Sequence, residues 1–421
     1  LRNAAEWILA DTPRFTAHPN HGSALAHMGL LVPEIDRYIA QNLVEPFKPA
    51  QHGDISNFVT AINPWGAVLK PDGEIRPLMD PSITGINEAM AHWPVVLPQP
   101  EDALRAIRKG DVLAKRDLRH GFHHIVLVLE ARKLMGFCHP ATNKVFRWRV
   151  LPFGACQSPG IFCGVTEAAA TIFLRRMQTE GIDCKVIVYL DDFLLIAPSH
   201  DQLRLAFDSI DDESTLLGLV WKHSKDEGRD RPLHQLTFLG LDIDTDTLSL
   251  TLSGDKRLRY LQKLLDFRQG IRDYGDCSRI ELEKLCGVLC FACRACCWGL
   301  SFMQSLFDTL YDRPFAGPRD PHERLTPSEG LMRDLEFWEH VLPPSDSPWD
   351  GRFQFATKSV AVLPLVADES VTTDAAASFG WGARWRAESA ASRWSPGELA
   401  TEHSTHIELR GILGALQKWG S

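Results

Sequence analysis

The chain has 421 residues, 44% apolar and 24% charged, with 30 Gly and 26 Pro, a composition that excludes collagenous, coiled-coil and largely disordered chains. At roughly 150 residues per domain, this length makes about three domains. Its 45 basic and 54 acidic residues leave a net charge of −9, which by itself calls for no nucleic-acid partner, yet residues 101–160 carry 11 Lys or Arg against 5 Asp or Glu, enough to make a basic groove within a screening length of about 8 to 10 Å.

No apolar run approaches the ~20 residues of a membrane span, and Leu1-Arg2-Asn3 shows neither a starting Met nor a signal pattern. The chain therefore reads as a non-membrane, intracellular piece of something longer, cytoplasmic or nuclear. Residues 1–55 read as a lead-in with one helix from Pro33 to Leu43. Residues 56–252 are strand-rich with two or three helices, one of them opened by Ser158 as N-cap with Pro159 at the first helical position and running to about Glu180. Residues 253–342 turn helical, with apolar positions at 258, 261, 264, 265 and 285, 288, 289, 292. Pro343 to Pro348 breaks regular structure and opens a linker over 343–370. Residues 371–421 hold a strand-like run, Val371 to Trp385, and a helix from about Thr405 to Trp419, too little to close a core alone. Apolar strands left unpaired there would make the protein prone to aggregate.

Half of the ten cysteines lie between Cys286 and Cys297. Cys286, Cys290, Cys293 and Cys297 fall on one helical stripe beside Leu285 and Leu289, which predicts small apolar core residues in a reducing compartment rather than a zinc site. His120, His123 and His124 read as position-fillers.

The most informative stretch is Val186 to Ala197, where two β-prone apolar runs flank Asp191-Asp192 and predict a hairpin with both carboxylates at its tip. Tight hairpin turns favour Asn-Gly or Asp-Gly, and two like charges on an apolar ribbon call for a cation. A solvent-facing loop is the competing reading. A second short strand, Val112 to Leu118, ends with Asp117 among bases. Three carboxylates from two strands suit a pair of Mg²⁺ ions, each of which takes one or two carboxylates and completes its shell with water and substrate phosphate.

These residues also carry a family resemblance. Tyr189-Leu190-Asp191-Asp192 resembles the catalytic box of reverse transcriptases, and further stretches follow that family's order. Lys70 to Arg76 resembles the fingers segment, Asp117 to Phe122 the first palm motif, Leu151-Pro152-Phe153-Gly154 with Ser158-Pro159 the template–nucleotide motif, Gly218 to Lys225 the next, and Phe238-Leu239-Gly240 the primer grip. The resemblance implies an α+β right-hand polymerase of fingers, palm and helical thumb, followed by a partial RNase H-like segment. Asp80 to Asn87 and Gly380 to Ala383 look most like DIRS-type or related long-terminal-repeat retroelements.

The same resemblance implies the roles. Asp117, Asp191 and Asp192 would be catalytic and hold two Mg²⁺ ions, with Mn²⁺ as a substitute. Lys70 and Arg76 would neutralise the incoming deoxynucleoside triphosphate, a solvated turn being the alternative for both. Phe122 would gate against the ribose 2′-hydroxyl, Phe153 and Gly154 would shape the nucleotide pocket, and Lys225 would protonate departing pyrophosphate. Phe238, Leu239 and Gly240 would press on the primer, with a strand bulge as the alternative. RNA and DNA template–primers are the implied partners. Asp374 and Glu408 resemble RNase H carboxylates, although Thr405 and Glu408 also form a capping box; with no acid after Glu408, this chain is expected to lack nuclease activity. The rivals are a catalytically dead relic that only binds nucleic acid and a metal-dependent nuclease.

Overall fold

The computed structural model describes residues 4–70, 73–296, 298–311, 320–344, 349–354, 371–376, 380–385 and 388–393, with 412, 413 and 418. Two compact units divide the chain, Leu1–Phe353 and Gln354–Ser421. The first therefore runs through the lead-in, the strand-rich region and the helical region that the sequence texture separates.

The amino-terminal residues are part of the core. Thr16–Ala17 and Val44–Pro46 supply the two edges of a five-stranded sheet completed by Ala61–Ile62, Gly136–Cys138 and Val145–Trp148. Trp7, Leu31, Ile35 and Tyr38 join the same buried cluster as Phe137, Trp148 and Phe193. Trp7 Nε1 donates to Ala131 O at 3.0 Å. Helix α1, Met28–Ala40, begins before Pro33 and ends before Leu43, so the proline lies inside it rather than at its start.

Strands β1 (Trp65–Leu69) and β2 (Ile75–Met79) form a separate antiparallel hairpin. A three-stranded sheet consists of β3 (Val112–Asp117), β4 (Lys185–Tyr189) and β5 (Asp192–Ala197), in the order β3-β5-β4. Helix α2, Ser158–Thr179, precedes β4, and helix α3, His200–Leu217, follows β5; both pack on this sheet. Phe193, Leu195 and Ala197 point into that helical layer, meeting Phe173, Met177, Leu203 and Phe207. Each such fully buried large side chain contributes roughly 1.5–3 kcal/mol. Because side chains alternate along a strand, Asp192 and Asp117 point to the opposite face.

Local chemistry sets the helix ends. Ser199 Oγ accepts Gln202 N–H at the start of α3, and Gly218 closes it at φ +73°. Ser158 is the first residue of α2 rather than its cap; its hydroxyl donates to Pro152 O at 2.7 Å and closes the preceding loop instead.

Strands β6 (Gln235–Phe238), β7 (Leu241–Asp244) and β8 (Ser249–Thr251) form an antiparallel meander. Helices α4 (Gly254–Tyr274), α5 (Arg279–Ala292) and α6 (Glu329–Val341) follow. A Ser278–Glu281 capping box starts α5. Cys286 on α5 and Cys293 and Cys296 just beyond it are buried, and burial pushes the thiols of Cys286 and Cys293 up to about 12, so both stay protonated and pack as apolar groups. Cys297 lies outside the described residues.

The second unit contains β9 (Val371–Ala376), β10 (Gly380–Trp385) and β11 (Glu388–Arg393), all antiparallel, with Asp374 opposite Gly382. β10 is paired on both sides, so any exposed edge falls on β9 and β11. Residues 345–348, most of the 405–419 stretch and Glu408 lie outside the described residues.

Candidate active site

The β4–β5 hairpin turns through Leu190 and Asp191, with Tyr189 opposite Asp192. Leu190 holds φ at +56°. A bulky residue there is strained, and such strain persists where surrounding structure enforces it, often at functional sites. The departure from ordinary turn chemistry read in the sequence is thus located at Leu190.

Across the sheet, Asp192 is the register partner of Asp117. Leu118 N donates to Asp191 O at 3.1 Å, the bond that flanks a non-hydrogen-bonded pair, in which facing side chains lie closest, about 4.5 Å between Cα atoms. Asp117 is 4% exposed, and its Oδ1 is buried without a hydrogen-bond partner. Its Oδ2 accepts from Lys225 Nζ, in the short helical turn His223–Lys225.

Asp191 is exposed as a residue, but its carboxyl sits in the crowded cleft. Desolvation first and the Asp117 charge second push it up to about 6. Asp192 is raised by the same two causes, partly offset by Lys115 and Lys225. Lys225 is raised in turn, chiefly by its hydrogen bond to Asp117. Three carboxylates faced by Lys225, with Lys115 beside them already paired to Glu227, leave a negative excess and an orphaned oxygen, a donor set that suits hard divalent cations. Among the described residues, no three His, Cys, Asp or Glu side chains form a ready-made metal cage.

Behind the acids, Arg116 points the other way and is fully buried. It pairs with Asp211 at 2.7 Å and Asp226 at 3.3 Å and lies between the Phe207 and Trp221 rings, 4.7 and 4.3 Å from their centroids. This ties β3 to α3.

In the short helical turn that follows β3, Phe122 stacks on Phe153, with ring centroids 4.7 Å apart, and meets Phe162 edge-on at 4.8 Å. Phe153 is 49% exposed. Gly154 holds φ +105°, and a Cβ there would lie 2.0 Å from Met79 O, so only glycine fits. Burial pushes His123 down to about 4, neutral among Tyr38, Trp148 and Phe153.

Other sequence candidates lie elsewhere. Lys70 Nζ pairs with Glu74 at 2.6 Å across the β1–β2 turn, while Arg76 is exposed on β2 opposite Val68. Phe238, Leu239 and Gly240 form a tight hairpin turn with φ +49° and +81° at the last two, not a bulge. Phe238 is 1% exposed, its side chain part of the core, while Leu239 and Gly240 form the tip of the turn. Sequence reading also missed two amides at the Phe153 loop. Gln157 bonds both backbone groups of Ile8, at 2.9 and 2.7 Å, and Ala91 O at 2.7 Å. Asn87 bonds Gly154 and Cys156.

A sheet on which Asp117 and Asp192 face each other across two antiparallel strands, with Asp191 in the adjoining turn and helices packed on the opposite face, gathers three carboxylates of a kind able to hold divalent ions. Residues 68–243 match the model of the family described as "Reverse transcriptase (RNA-dependent DNA polymerase)". The chain is related to retroviral and pararetroviral polymerases. The enzymatic polyprotein of Figwort mosaic virus is 29% identical over 167 residues, covering 38% of this chain and 22% of that protein. The Gag-Pro-Pol polyprotein of Simian retrovirus SRV-1 is 26% identical over 260 residues, covering 58% and 14%. The chain thus spans under a quarter of either relative. Its fold is similar to that of a foamy viral protease-reverse transcriptase solved in complex with double-stranded DNA, with TM-score 0.61 and 16% identity over 99% of this chain and 63% of that one. The foamy viral protease-reverse transcriptase in complex with RNA/DNA hybrid gives TM-score 0.57 and 16% identity over 97% and 48%. No helix among the described residues is long and apolar enough to cross a membrane.

Proposed function

We propose that this chain extends a primer 3′-hydroxyl with deoxynucleotides on RNA and DNA templates, as the reverse transcriptase of a retrotransposon of DIRS-type or related long-terminal-repeat class. The observation that carries the reading is the Asp117–Asp192 register pair with Asp191 in the adjoining turn. In this reading β1–β2 belongs to the fingers, β3–β5 with α2 and α3 to the palm, and α4 to α6 to the thumb. Asp117, Asp191 and Asp192 would hold two Mg²⁺ ions, or Mn²⁺ in their place, and these would polarise the phosphoryl oxygens and lower the pKa of the primer hydroxyl. Asp117 presents its orphaned Oδ1, and Lys225 neutralises the cleft beside it. Arg76, exposed on the fingers hairpin, is free to swing to a triphosphate, while Lys70 must first leave Glu74. The Phe122 ring excludes a 2′-hydroxyl by bulk. In the second unit, Asp374 on β9 fits the first strand of an RNase H domain, with Glu408 as a further candidate carboxylate.

The test is primer extension with Mg²⁺ and deoxynucleotides on matched RNA and DNA templates. Extension on both that is lost in Asp117→Asn and Asp191→Asn supports the reading. Salt-sensitive primer–template binding without extension would instead identify a binding relic, and degradation of unprimed strands a nuclease.

A further inference from the structure

We propose that Asn87 is a positioning residue that fixes Phe153 and, through it, the sugar selectivity of the nucleotide pocket. The inference rests on the polymerase reading above. Asn87 lies in the short helix Ile86–Ala89, outside the strands that carry the acids. Its Nδ2 donates to Ser82 Oγ at 2.8 Å and to Gly154 O at 3.1 Å, and its Oδ1 accepts Cys156 N–H at 2.9 Å. The amide orientation is fixed by its partners, because a carbonyl oxygen can only accept and a backbone N–H can only donate. Both amide hydrogens are therefore used, and the side chain grips the loop on either side of Ala155.

The rest of the loop is equally constrained. Ser158 Oγ closes it onto Pro152 O at 2.7 Å, and Gly154 touches the Met79 carbonyl so closely that no Cβ is tolerated. Asn87 is itself held through Ser82, whose N–H bonds Asp80 Oδ1 at 3.0 Å, while Asp80 Oδ2 faces His21 Nε2 at 3.1 Å. The half-exposed Phe153 ring projects from this frame onto Phe122. An exposed ring has rotational freedom, so its position is set by the backbone from which it hangs. Phe122 rests on Phe153 on one side and Phe162 on the other. If Phe153 moves, the face of the gate that meets the sugar relaxes with it, and a displacement well under the size of a hydroxyl is enough to blur discrimination.

The experiment compares steady-state incorporation of deoxy- and ribonucleotides by wild type, Asn87→Ala, Asn87→Asp, Phe153→Ala and the Asn87→Ala/Phe153→Ala double variant, with primer–template affinity and Tm measured alongside. Asn87→Ala should raise the deoxynucleotide KM roughly three- to tenfold and lower deoxy-over-ribo selectivity by a similar factor, with kcat and primer–template affinity little changed. Asn87→Asp should match it, because a carboxylate keeps the Cys156 contact but faces the Gly154 carbonyl. The double variant should lose no more selectivity than Phe153→Ala alone. Unchanged selectivity in Asn87→Ala, or fully additive losses in the double variant, would overturn the proposal. If Asn87→Ala does not fold, Ser82→Ala removes only the amide's far partner and should shift KM and selectivity in the same direction by less; no shift there counts against it. A wild type that extends no primer refutes the polymerase reading itself, whereas an active wild type with an indifferent Asn87 refutes only this inference.

Discussion

Lys225 closes its ammonium on Oδ2 of Asp117, the most deeply buried carboxylate of the cleft, 108 residues earlier in the chain. The lysine thus stands where part of the charge of a divalent cation would act, and the two compete for the same oxygen. Lys225→Ala should tighten Mn²⁺ binding, read by electron paramagnetic resonance of the free ion. If the ammonium also donates a proton to the leaving group, incorporation should slow by about 10²-fold. Unaltered metal affinity would mean that the pair breaks at no cost and the competition is empty.

Asp191 and Asp192 both carry folded-state pKa values above the ordinary carboxylate range, Asp191 at about 6. Between the unfolded value near 4 and that value, the folded chain binds more protons than the unfolded one, so these groups favour the fold at lower pH and withdraw that support as pH rises through the window. Without divalent ions, Asp191→Asn should gain stability relative to wild type from pH 4 to pH 7, as urea midpoints would record. A constant difference across that range would refute the linkage.

The same raised values bear on activity. Metal binding needs the carboxylates ionised, so at limiting Mg²⁺ the rate should climb through about pH 6, and saturating Mg²⁺ should move this acid limb lower. A limb whose midpoint ignores Mg²⁺ concentration would point to a different titrating group.

Phe122→Ala should admit ribonucleotides, lowering deoxy-over-ribo selectivity roughly tenfold or more. The ring is held by two aromatic contacts, so its loss opens a space at the pocket wall. Unchanged selectivity would assign Phe122 to packing alone.

Gly154→Ala meets both an unfavourable φ and the Met79 carbonyl. It should cost about 2–4 kcal/mol of stability, visible in denaturant midpoints. A loss below about 0.5 kcal/mol would show that the loop can shift aside.

Much of the site was legible because its logic is local. Apolar runs around Asp191-Asp192 predict the hairpin, and two-residue alternation predicts which side chains leave the helical layer. The pairing of Asp117 with Asp192 is not local, since nothing in either segment states the register between strands; the collinear family motifs supplied the association. Lys225 was legible as a candidate but not as the partner of Asp117, a contact formed only when the chain folds back. The burial of Phe238 was not legible because a motif gives position along the chain and not which face of a strand is buried. Asn87 and Gln157 were missed as site residues because amides bonding to backbone leave no periodic signal. The helix at Met28 was set too late because Pro33 is an ordinary helix opener, yet here it is accommodated inside.

The first residues of the chain find partners very far along it. Ile8 is bonded by Gln157, and Trp7 donates to the carbonyl of Ala131. Both contacts join residues more than a hundred positions apart, so each can form only once that whole intervening stretch of chain is available. Closure of the Phe153–Ser158 loop over Ile8 is therefore a folding step of high contact order. The slow phase of refolding should report on Trp7 burial and on recovery of the pocket together.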